Sequence, residues 1–258
     1  MLKKWGLIAP AGSNPAVSAK YNMQNLIFLD TETTGNEIGK DRLCQVCYKT
    51  NGEIKTSYFK PPLPISVKAM SITHITNKTV ADKEAFEGSE MYKELKSLLK
   101  DGILVAHNAK FDIAMLEAEG LKVNQFICTL RIARYFDEEN KIPEYGLQFL
   151  RYFLDLDIPG KAHDAEADVN SLYALFGRLL TKVQGKIPDE EKAIEKMIEI
   201  SKNPVLFKKF NFGKYKDKTV ESVALDDRRY LEWLLKTKME DGGQDEDWIY
   251  TLKQYLSL

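Results

Sequence analysis

Two acidic residues stand two positions apart at the end of a short apolar run, in the stretch LIFLDTETTG that begins at Leu26. The run Leu26–Asp30 predicts a buried strand, because it is short, apolar and followed by turn residues. Side chains alternate between the faces of a strand, so Asp30 and Glu32 should point the same way. At ~4 Å and an effective dielectric of about 20, two carboxylates repel by roughly 4 kcal/mol. A divalent cation such as Mg²⁺ or Mn²⁺ would relieve that repulsion. The alternative is two solvated acids at an ordinary strand end.

Two further acids fall in predicted helices, close to apolar residues. The run Ile103–Ala106 predicts a second buried strand, and the pattern of Ala109–Glu119 predicts a helix after it. Asp112 lies one turn into that helix. Asp168 occupies the apolar stripe of a helix predicted over Asp164–Leu180. Because burying an unpaired carboxylate is costly, both acids are candidates for a functional site.

His163 precedes Asp168 by five residues. In a continuous helix the two side chains would be turned about 140° apart. We therefore expect His163 on the loop just before the helix, free to approach the same site. Asp164 and Glu166 suit the first turn of the helix, where the dipole favours acids. A helix cap or a polar corner is the alternative role for His163.

Composition and charge describe a soluble globular protein of 258 residues, 44% hydrophobic and 29% charged. The net charge of −1 excludes a basic field over the whole molecule, so any contact with nucleic acid must come from local patches. No apolar run approaches the roughly 18 residues of a membrane span, and no membrane partner is expected. Three cysteines fit a reducing cytoplasm, which is the expected location. Cys44 and Cys47 should face opposite sides of a strand, which disfavours a zinc site.

The N-terminal stretch differs from the rest of the chain. Residues 1–22 are rich in Ala, Gly, Pro, Ser and Asn, and they lack both sustained periodicity and the apolar core of a signal peptide. We interpret them as a disordered tail. A mis-called start is a second hypothesis, because codons for the peptide GSNP at residues 12–15 can reproduce the T-loop consensus of a transfer-RNA gene. Met23 would then be the initiator.

The elements after Met23 run from strands to alternating strands and helices. Asn51-Gly52, between strand-like stretches at 42–50 and 54–60, predicts a β-hairpin. Further helices are predicted over residues 91–99, 129–136 and 145–154. This order implies an α/β fold in which helices pack over a mixed β-sheet.

Three motifs in this order resemble those of the DEDD 3′–5′ exonucleases, in the subgroup named for its histidine. The motif residues are Asp30 and Glu32, then His107, Asn108, Phe111 and Asp112, then His163 and Asp168. Smaller matches are Thr33-Thr34-Gly35, His74-Ile75-Thr76 and Thr129-Leu130. The chain is thus similar to exonuclease X-like and DNA polymerase III epsilon-like exonucleases. The resemblance implies a ribonuclease H-like mixed sheet flanked by helices, over residues 23–183.

The same resemblance implies a two-metal phosphodiesterase. Two Mg²⁺ or Mn²⁺ ions would be held by Asp30, Glu32, Asp112 and Asp168. His163 would accept the proton of the attacking water. Residues in or near the motif loops would contact the terminal nucleotide, namely Thr33, Thr34, Gly35, His74, His107, Asn108 and Phe111. A structural role is the alternative for His74 and His107.

The character of the chain changes after residue 183. Residues 184–202 predict a helical linker, and residues 203–258 predict a small α+β module that resembles the C-terminal module of exonuclease X-like proteins. Residues 207–218 contain five lysines and four aromatics, which could bind phosphates and stack on bases. A hairpin with an aromatic core is the alternative. Tyr230, Trp233 and Leu234 are expected in the core of the module.

The sequence therefore predicts a metal-dependent 3′–5′ exodeoxyribonuclease that releases nucleoside monophosphates from single-stranded DNA or DNA 3′ ends, in repair or end trimming. A polymerase-associated proofreading exonuclease and an RNA-trimming relative stay open, with a polymerase and RNA as the corresponding partners. A non-catalytic nucleic-acid-binding or scaffold protein is the alternative of another class. The clustered acids argue against it, because binding alone does not require them and carboxylates repel phosphate. A ribonuclease H-like domain that binds a free nucleotide is a third alternative.

Overall fold

Two compact units make up the computed structural model, which describes residues 25–137, 140–156, 158, 165–240 and 245–258. The first unit holds the described residues up to 129 and from 146 to 198, and the second holds those of 130–145 and 199–258. The tail or mis-called start predicted over residues 1–22 lies outside the described residues. Among the helices described, none has the length and apolar character that a membrane span requires.

A five-stranded sheet forms the centre of the first unit. Its strands are β1 (Leu26–Thr33), β2 (Leu43–Thr50), β3 (Glu53–Tyr58), β4 (Ile103–Ala106) and β5 (Gln125–Cys128). They lie in the order β3-β2-β1-β4-β5. The pairs β1–β2 and β2–β3 are antiparallel, whereas β1–β4 and β4–β5 are parallel. The structure thereby confirms the predicted α/β class with a mixed sheet, although β5 was not among the predicted strands.

Strand pairing explains two local features of the sheet. The hairpin between β2 and β3 turns at Asn51 and Gly52, with φ of 50° and 84°, as the two-residue turn predicted there requires. Strand β1 continues beyond its apolar run because its acidic end pairs with β2, Asp30 opposite Cys47 and Glu32 opposite Gln45. The acids therefore lie within the strand rather than in the loop after it.

The predicted helices are present with shifts at their ends, and among the described residues four helices that were not predicted lie at residues 67–73, 77–80, 220–226 and 246–256. In chain order, the helices are α1 (Val67–Thr73), α2 (Asn77–Val80), α3 (Glu90–Asp101), α4 (Ala109–Ala118), α5 (Thr129–Phe136), α6 (Leu147–Phe153), α7 (Ala165–Gln184), α8 (Glu190–Lys202), α9 (Val220–Asp226), α10 (Arg228–Glu240) and α11 (Glu246–Leu256). Helix α7 lies against β1, β2 and β3, and α4 lies against β1, β4 and β5. These two helices carry Asp168 and Asp112.

Aromatic packing fixes the position of α7 on the sheet. The ring of Phe28 in β1 meets Tyr173 and Phe176 of α7 edge-on, with ring centroids 4.9 Å and 5.2 Å apart. Eight residues of helix span about 12 Å, which separates Asp168 from Phe176 along α7. Four residues of strand span about 13 Å, which separates Glu32 from Phe28 along β1. The two lengths match, so packing at the aromatic end brings the acidic ends together.

The second unit has an aromatic core of its own. Phe207 and Phe210 are buried against Trp248, and the Phe210 and Trp248 rings stack 5.0 Å apart. The predicted β-structure of the module is reduced, among the described residues, to one antiparallel bridge between Lys209 and Thr219. The aromatic-core alternative thus holds for the two phenylalanines, which leaves them unable to stack on bases.

One core prediction in the module is wrong. Leu234 is buried and Tyr230 is partly buried, but Trp233 on α10 is 57% exposed. The buried stripe of this helix runs through Leu231, Leu234 and Leu235. Trp233 lies outside that stripe. It follows Leu231 by two residues, and helical geometry therefore places the two side chains on opposite sides of α10.

Buried ion pairs join α5 to the start of α11 within the second unit. The carboxylate of Asp247, which is 1% exposed, lies 2.7 Å from Arg134 and 3.3 Å from Arg131. It also accepts a hydrogen bond from the backbone N–H of Val205. Residues 130–145, which directly follow β5, therefore cluster with the C-terminal residues rather than with the sheet.

Candidate active site

Three carboxylates converge at the acidic end of β1. One oxygen from each of Asp30, Glu32 and Asp168 lies within 4.8 Å of the other two. Asp30 and Glu32 are half-buried on the strand face that packs against α7, and Asp168 is buried in the first turn of that helix. The alternation of the strand and the packing of α7 are sufficient to produce this cluster.

Asp112 approaches from the other face of the strand. It is 4% exposed, and its Oδ1 accepts a hydrogen bond of 2.8 Å from the Thr31 hydroxyl. Thr31 lies between the two acids of β1 and points with Ile27 and Leu29 toward the main core. The structure therefore brings all four predicted acids to one strand end, with Asp112 beside the group of three.

Burial and mutual repulsion make this cluster electrostatically unfavourable without a counter-charge. Burial first, and then the charge of Asp112, hold the pKa of Asp30 well above its usual range. Burial and the neighbouring Asp168 raise the pKa of Glu32 to about 7. Burial also raises the pKa of Asp112, against the lowering effect of the Thr31 hydrogen bond. Protons or a cation must therefore accompany these carboxylates.

The donor set fits a divalent cation. Every candidate ligand is a carboxylate oxygen, the hard type of donor that Mg²⁺ and Mn²⁺ prefer. The convergence of three such oxygens within 4.8 Å matches the size of a coordination sphere. A bound cation would also offset the repulsion that raises the pKa values of Asp30 and Glu32.

The amide of Gln148 orients one of these ligands. Gln148, on α6, donates a hydrogen bond from Nε2 to Oδ1 of Asp168. Its own Oε1 accepts a 3.1 Å hydrogen bond from Arg151, a buried residue one turn further along the helix. Because Arg151 can only donate, it fixes the amide with its NH₂ group toward Asp168.

The predicted base, His163, lies outside the described residues, as does Asp164. Helix α7 begins two residues after His163, at Ala165. The exposed Glu166 lies in the first turn of this helix and accepts a hydrogen bond from Thr56 of β3.

The loop after β1 uses its polar groups to hold itself together. The Thr34 side chain is fully buried, donates to Oδ1 of Asp41 at 2.6 Å and accepts from the Arg42 N–H at 3.1 Å. A Cβ on Gly35 would lie 2.4 Å from Oδ2 of Asp41. The Thr33 hydroxyl donates to the Gly35 carbonyl. These contacts give all three residues a structural role in shaping the loop.

The other predicted substrate residues differ in exposure. Asn108 is exposed at the start of α4, with a left-handed backbone (φ 65°) and no capping bond from its side chain. His107 places Nδ1 2.9 Å from the Thr129 hydroxyl. Phe111 is partly buried and packs against the main core. His74 is exposed and ends α1 with φ of 59°.

Thr31 and Gln148 are the residues that sequence reasoning missed. Thr31 could have been found, because strand alternation aims it at the helix that follows the parallel neighbour β4. Gln148 gives no such signal, since a half-exposed glutamine in a helix has no distinguishing spacing.

A family model for exonucleases matches residues 27–176, which include all four acids. The chain belongs to the exonuclease family. A second model, for the exodeoxyribonuclease X-like C-terminal domain, matches residues 210–237. Both matches confirm the resemblance seen in the motifs.

Two relatives match this chain over different lengths. Exodeoxyribonuclease 10 of Escherichia coli (strain K12) is 32% identical over 244 residues, which span 90% of this chain and 98% of that protein. The DNA polymerase III epsilon subunit of Buchnera aphidicola is 33% identical over 135 residues, or 44% of this chain and 55% of that protein. Similarity to the first thus includes the C-terminal module.

Solved structures support the fold. Exonuclease X in complex with 5′ overhanging duplex DNA superposes with a TM-score of 0.50 and 24% identity, covering 68% of this chain and 99% of that one. E. coli exonuclease I in complex with a dA16 oligonucleotide gives a TM-score of 0.51 and 22% identity, covering 60% and 40%. These likenesses confirm the predicted exonuclease fold.

Proposed function

We propose that the protein is a metal-dependent 3′–5′ exodeoxyribonuclease that releases nucleoside monophosphates from DNA 3′ ends. The observation that carries this proposal is the convergence of the Asp30, Glu32 and Asp168 carboxylates, with Asp112 beside them, in the fold of an exonuclease. Binding alone would not require this arrangement, since clustered carboxylates repel the phosphates of a nucleic acid.

Asp30, Glu32, Asp112 and Asp168 would hold two Mg²⁺ or Mn²⁺ ions. When bound, the ions would lower the pKa of a water molecule and stabilise the charge on the leaving 3′-oxygen. The carboxylates would place the ions at one end of β1. The hydrogen bond from Gln148 orients Asp168 toward that site.

We assign the role of general base to His163. It precedes by two residues the start of α7, the helix that carries Asp168, and this short separation in sequence supports the assignment. An imidazole of ordinary pKa, about 6.5, is well matched to accepting a proton from water near neutral pH.

The terminal nucleotide would be bound by residues of the three motifs and of the loop near α1. Asn108 is the best supported of them, because its exposed amide stands one turn before Asp112 with no intrahelical partner. His107 and Phe111 flank it in sequence. We propose His74 as a further contact, and Thr33, Thr34 and Gly35 as the loop that shapes the pocket.

The substrate class follows from the relatives. Exodeoxyribonuclease 10 is named for its action on DNA, and exonuclease X was solved in complex with 5′ overhanging duplex DNA, so we propose DNA 3′ ends as the substrate, in repair or end trimming. Similarity to a polymerase III epsilon subunit keeps proofreading as the second candidate. RNA trimming is a third. We also propose a cytoplasmic location, which the small and odd number of cysteines, three in the chain, supports.

We propose the domain limits predicted from the sequence, namely an exonuclease domain at 23–183, a linker at 184–202 and a module at 203–258. Helix α8 supports the linker, since Glu190–Lys202 forms most of it. The clustering of residues 130–145 with the C-terminal residues means that the chain of the exonuclease domain contributes to the second unit.

A cleavage assay tests the proposed chemistry. DNA single strands, overhanging duplexes and RNA, each labelled at the 5′ end, are incubated with Mn²⁺ or Mg²⁺ and resolved on a sequencing gel. We expect a ladder that shortens from the 3′ end on DNA and requires metal. The Asp168→Asn variant should give no ladder. Tight DNA binding without cleavage of any substrate would favour the non-catalytic alternative.

A further inference from the structure

Trp233 is the most exposed member of a row of aromatic rings on the second unit. Its indole is 57% exposed, and its ring centroid lies 5.5 Å from that of Tyr230, one turn earlier on α10. Tyr215 packs edge-on against Tyr230 at 4.8 Å. The core of this unit is complete without the tryptophan, because Trp248, Phe207 and Phe210 fill it. We call Tyr215, Tyr230 and Trp233 the outer aromatic surface.

Positive side chains border this surface. The ammonium group of Lys214 lies 4.6 Å from the ring centroid of Tyr215 and 5.0 Å from that of Tyr230. Lys214 is held there by Asp227, 2.9 Å away, and still keeps 58% of its side chain exposed. On α10 itself, the exposed Arg229 and Lys236 stand four residues before and three after Trp233, the spacings of helical neighbours.

Three of the neighbouring acids, Asp227, Glu232 and Glu240, are each paired with a basic side chain. Glu232 is paired with Arg228 at 3.0 Å, and Glu240 lies 3.7 Å from Lys236. Asp227 also accepts a 2.6 Å hydrogen bond from the Tyr215 hydroxyl. The acids therefore act within the protein, as partners that position the cations and Tyr215.

We propose that the outer aromatic surface, with Lys214 and Arg229, is a second binding site for single-stranded DNA. Exposed aromatic faces stack on bases of any sequence, and adjacent cations contact the phosphates between them. The site lies in the second unit, whereas the acid cluster belongs to the first. The choice of DNA over other polymers rests on the proposed function, but binding here requires no metal.

Intrinsic fluorescence tests this proposal directly on the full chain. Trp5, Trp233 and Trp248 are the three tryptophans; a Trp5→Phe background leaves only exposed Trp233 and buried Trp248. A thymidine oligonucleotide is titrated in EDTA, so that no hydrolysis occurs. Stacking should quench the Trp233 emission, and the quench should weaken as salt increases.

Variants measure the contribution of the surface to affinity. Trp233→Ala should weaken oligonucleotide binding, followed by anisotropy in EDTA, by roughly 5- to 140-fold, the equivalent of ~1–3 kcal/mol for the loss of one stacked base. Lys214→Ala should weaken it less and reduce the salt dependence. Leu225→Ala is the matched control, because Leu225 is a large apolar side chain of the same unit, 83% exposed, and its loss should change nothing.

Two results would overturn the proposal: no quench with DNA, or equal DNA affinities for Trp233→Ala and Leu225→Ala. A surface that binds a protein partner instead would give both. Hydrolysis of the p-nitrophenyl ester of thymidine 5′-monophosphate with Mn²⁺ separates this outcome from failure of the proposed function. That small ester should be cleaved equally by the parent and by Trp233→Ala. Its inertness would contradict the nuclease assignment and leave the second site standing.

Discussion

Asp168 lies where the first turn of α7 meets the two acids of β1. If these oxygens bind Mn²⁺, metal should raise the melting temperature by mass action, with about 2.7 kcal/mol gained at 100 times Kd. Asp168→Asn removes one charge from the cluster and should lose most of that shift, as measured by thermal denaturation with and without Mn²⁺. Asp82→Asn, at an exposed acid outside the cluster, should keep it. An Mn²⁺-insensitive melt of the parent would refute the metal site.

Gln148 provides a second test at this scale. Removing the amide in Gln148→Ala leaves Asp168 without the donor that orients it. Loss of such an outer partner typically weakens metal binding 10–100-fold. Mn²⁺ titration followed by melting temperature should show that loss, while Gln254→Ala on the exposed face of α11 should not. An unchanged Mn²⁺ affinity would reduce Gln148 to a packing residue.

The raised pKa values predict how stability depends on pH. The pKa of Glu32 is raised from 4.5 to about 7 in the folded protein, so the protonated form is favoured by folding. Its contribution is complete below about pH 4.5 and is lost as the pH rises through about 7. In EDTA, the melting temperature should therefore fall across this window, more for the parent than for Asp168→Asn. In the parent, Mn²⁺ should reduce this fall, because it binds the ionised carboxylates and so stabilises the folded protein at the higher pH.

How far residues could be predicted from the sequence depended on their type. The four acids were identifiable, because carboxylates on an apolar strand or helical stripe are costly and therefore informative. Thr34 and Gly35 were expected near substrate, but the structure shows what they do within the loop. Their partner, Asp41, comes close only when the loop folds back, and no spacing in the sequence indicates that.

Among the elements, local sequence patterns predicted the hairpin, strands β1 and β4 and most of the longer helices, but not the short helices α1, α2 and α9. The hairpin at Asn51-Gly52 and strand β4 formed where expected, because turn chemistry and apolar runs are local signals. Strand β5 was missed, since four residues paired only to β4 carry no periodicity. Strand β1 is longer than its apolar run because it pairs with β2, and the apolar run alone does not indicate this pairing.

The loop after β1 gives a prediction about an element. A methyl group at Gly35 would collide with the Asp41 carboxylate, 2.4 Å from the Cβ position. Gly35→Ala should therefore lower the free energy of unfolding by about 1–3 kcal/mol, the usual cost of overpacking, as measured by urea denaturation. Gly146→Ala is the control, because nothing lies within 4 Å of its Cβ position and its φ of −59° suits alanine. Equal stability of the two variants would mean that the loop shifts freely.

At the scale of the whole molecule, the sequence indicated a change of character after residue 183 but gave no sign that residues 130–145 join the second unit. The reason is physical. Arg131 and Arg134 are separated from Asp247 by more than a hundred residues, and ion pairs at that distance leave no local pattern. The module is therefore linked to the segment that follows β5 as well as to α8.

Asp247 is the residue on which this linkage depends. Asp247→Ala would leave the guanidinium groups of Arg131 and Arg134 without their buried carboxylate, and breaking such a pair costs about 3–5 kcal/mol. Glu246→Gln should cost at most ~1 kcal/mol, because Glu246 is 40% exposed and its pairing with Arg131 is screened by solvent. Urea denaturation of the two variants measures the difference. Similar losses in the free energy of unfolding for both variants would show that the buried carboxylate of Asp247 contributes no more to stability than the exposed one of Glu246.

Removal of the module should therefore harm the remaining chain. A protein that ends at residue 202 lacks α11, and with it the acids that pair with Arg131 and Arg134 on α5. Because α5 directly follows β5, we expect a lower melting temperature and a loss of nuclease activity that reflects folding rather than DNA contact. Trp233→Ala, at an exposed position, should keep the melting temperature of the parent. A truncated chain as stable as the parent would show instead that residues 130–145 need no support from the module.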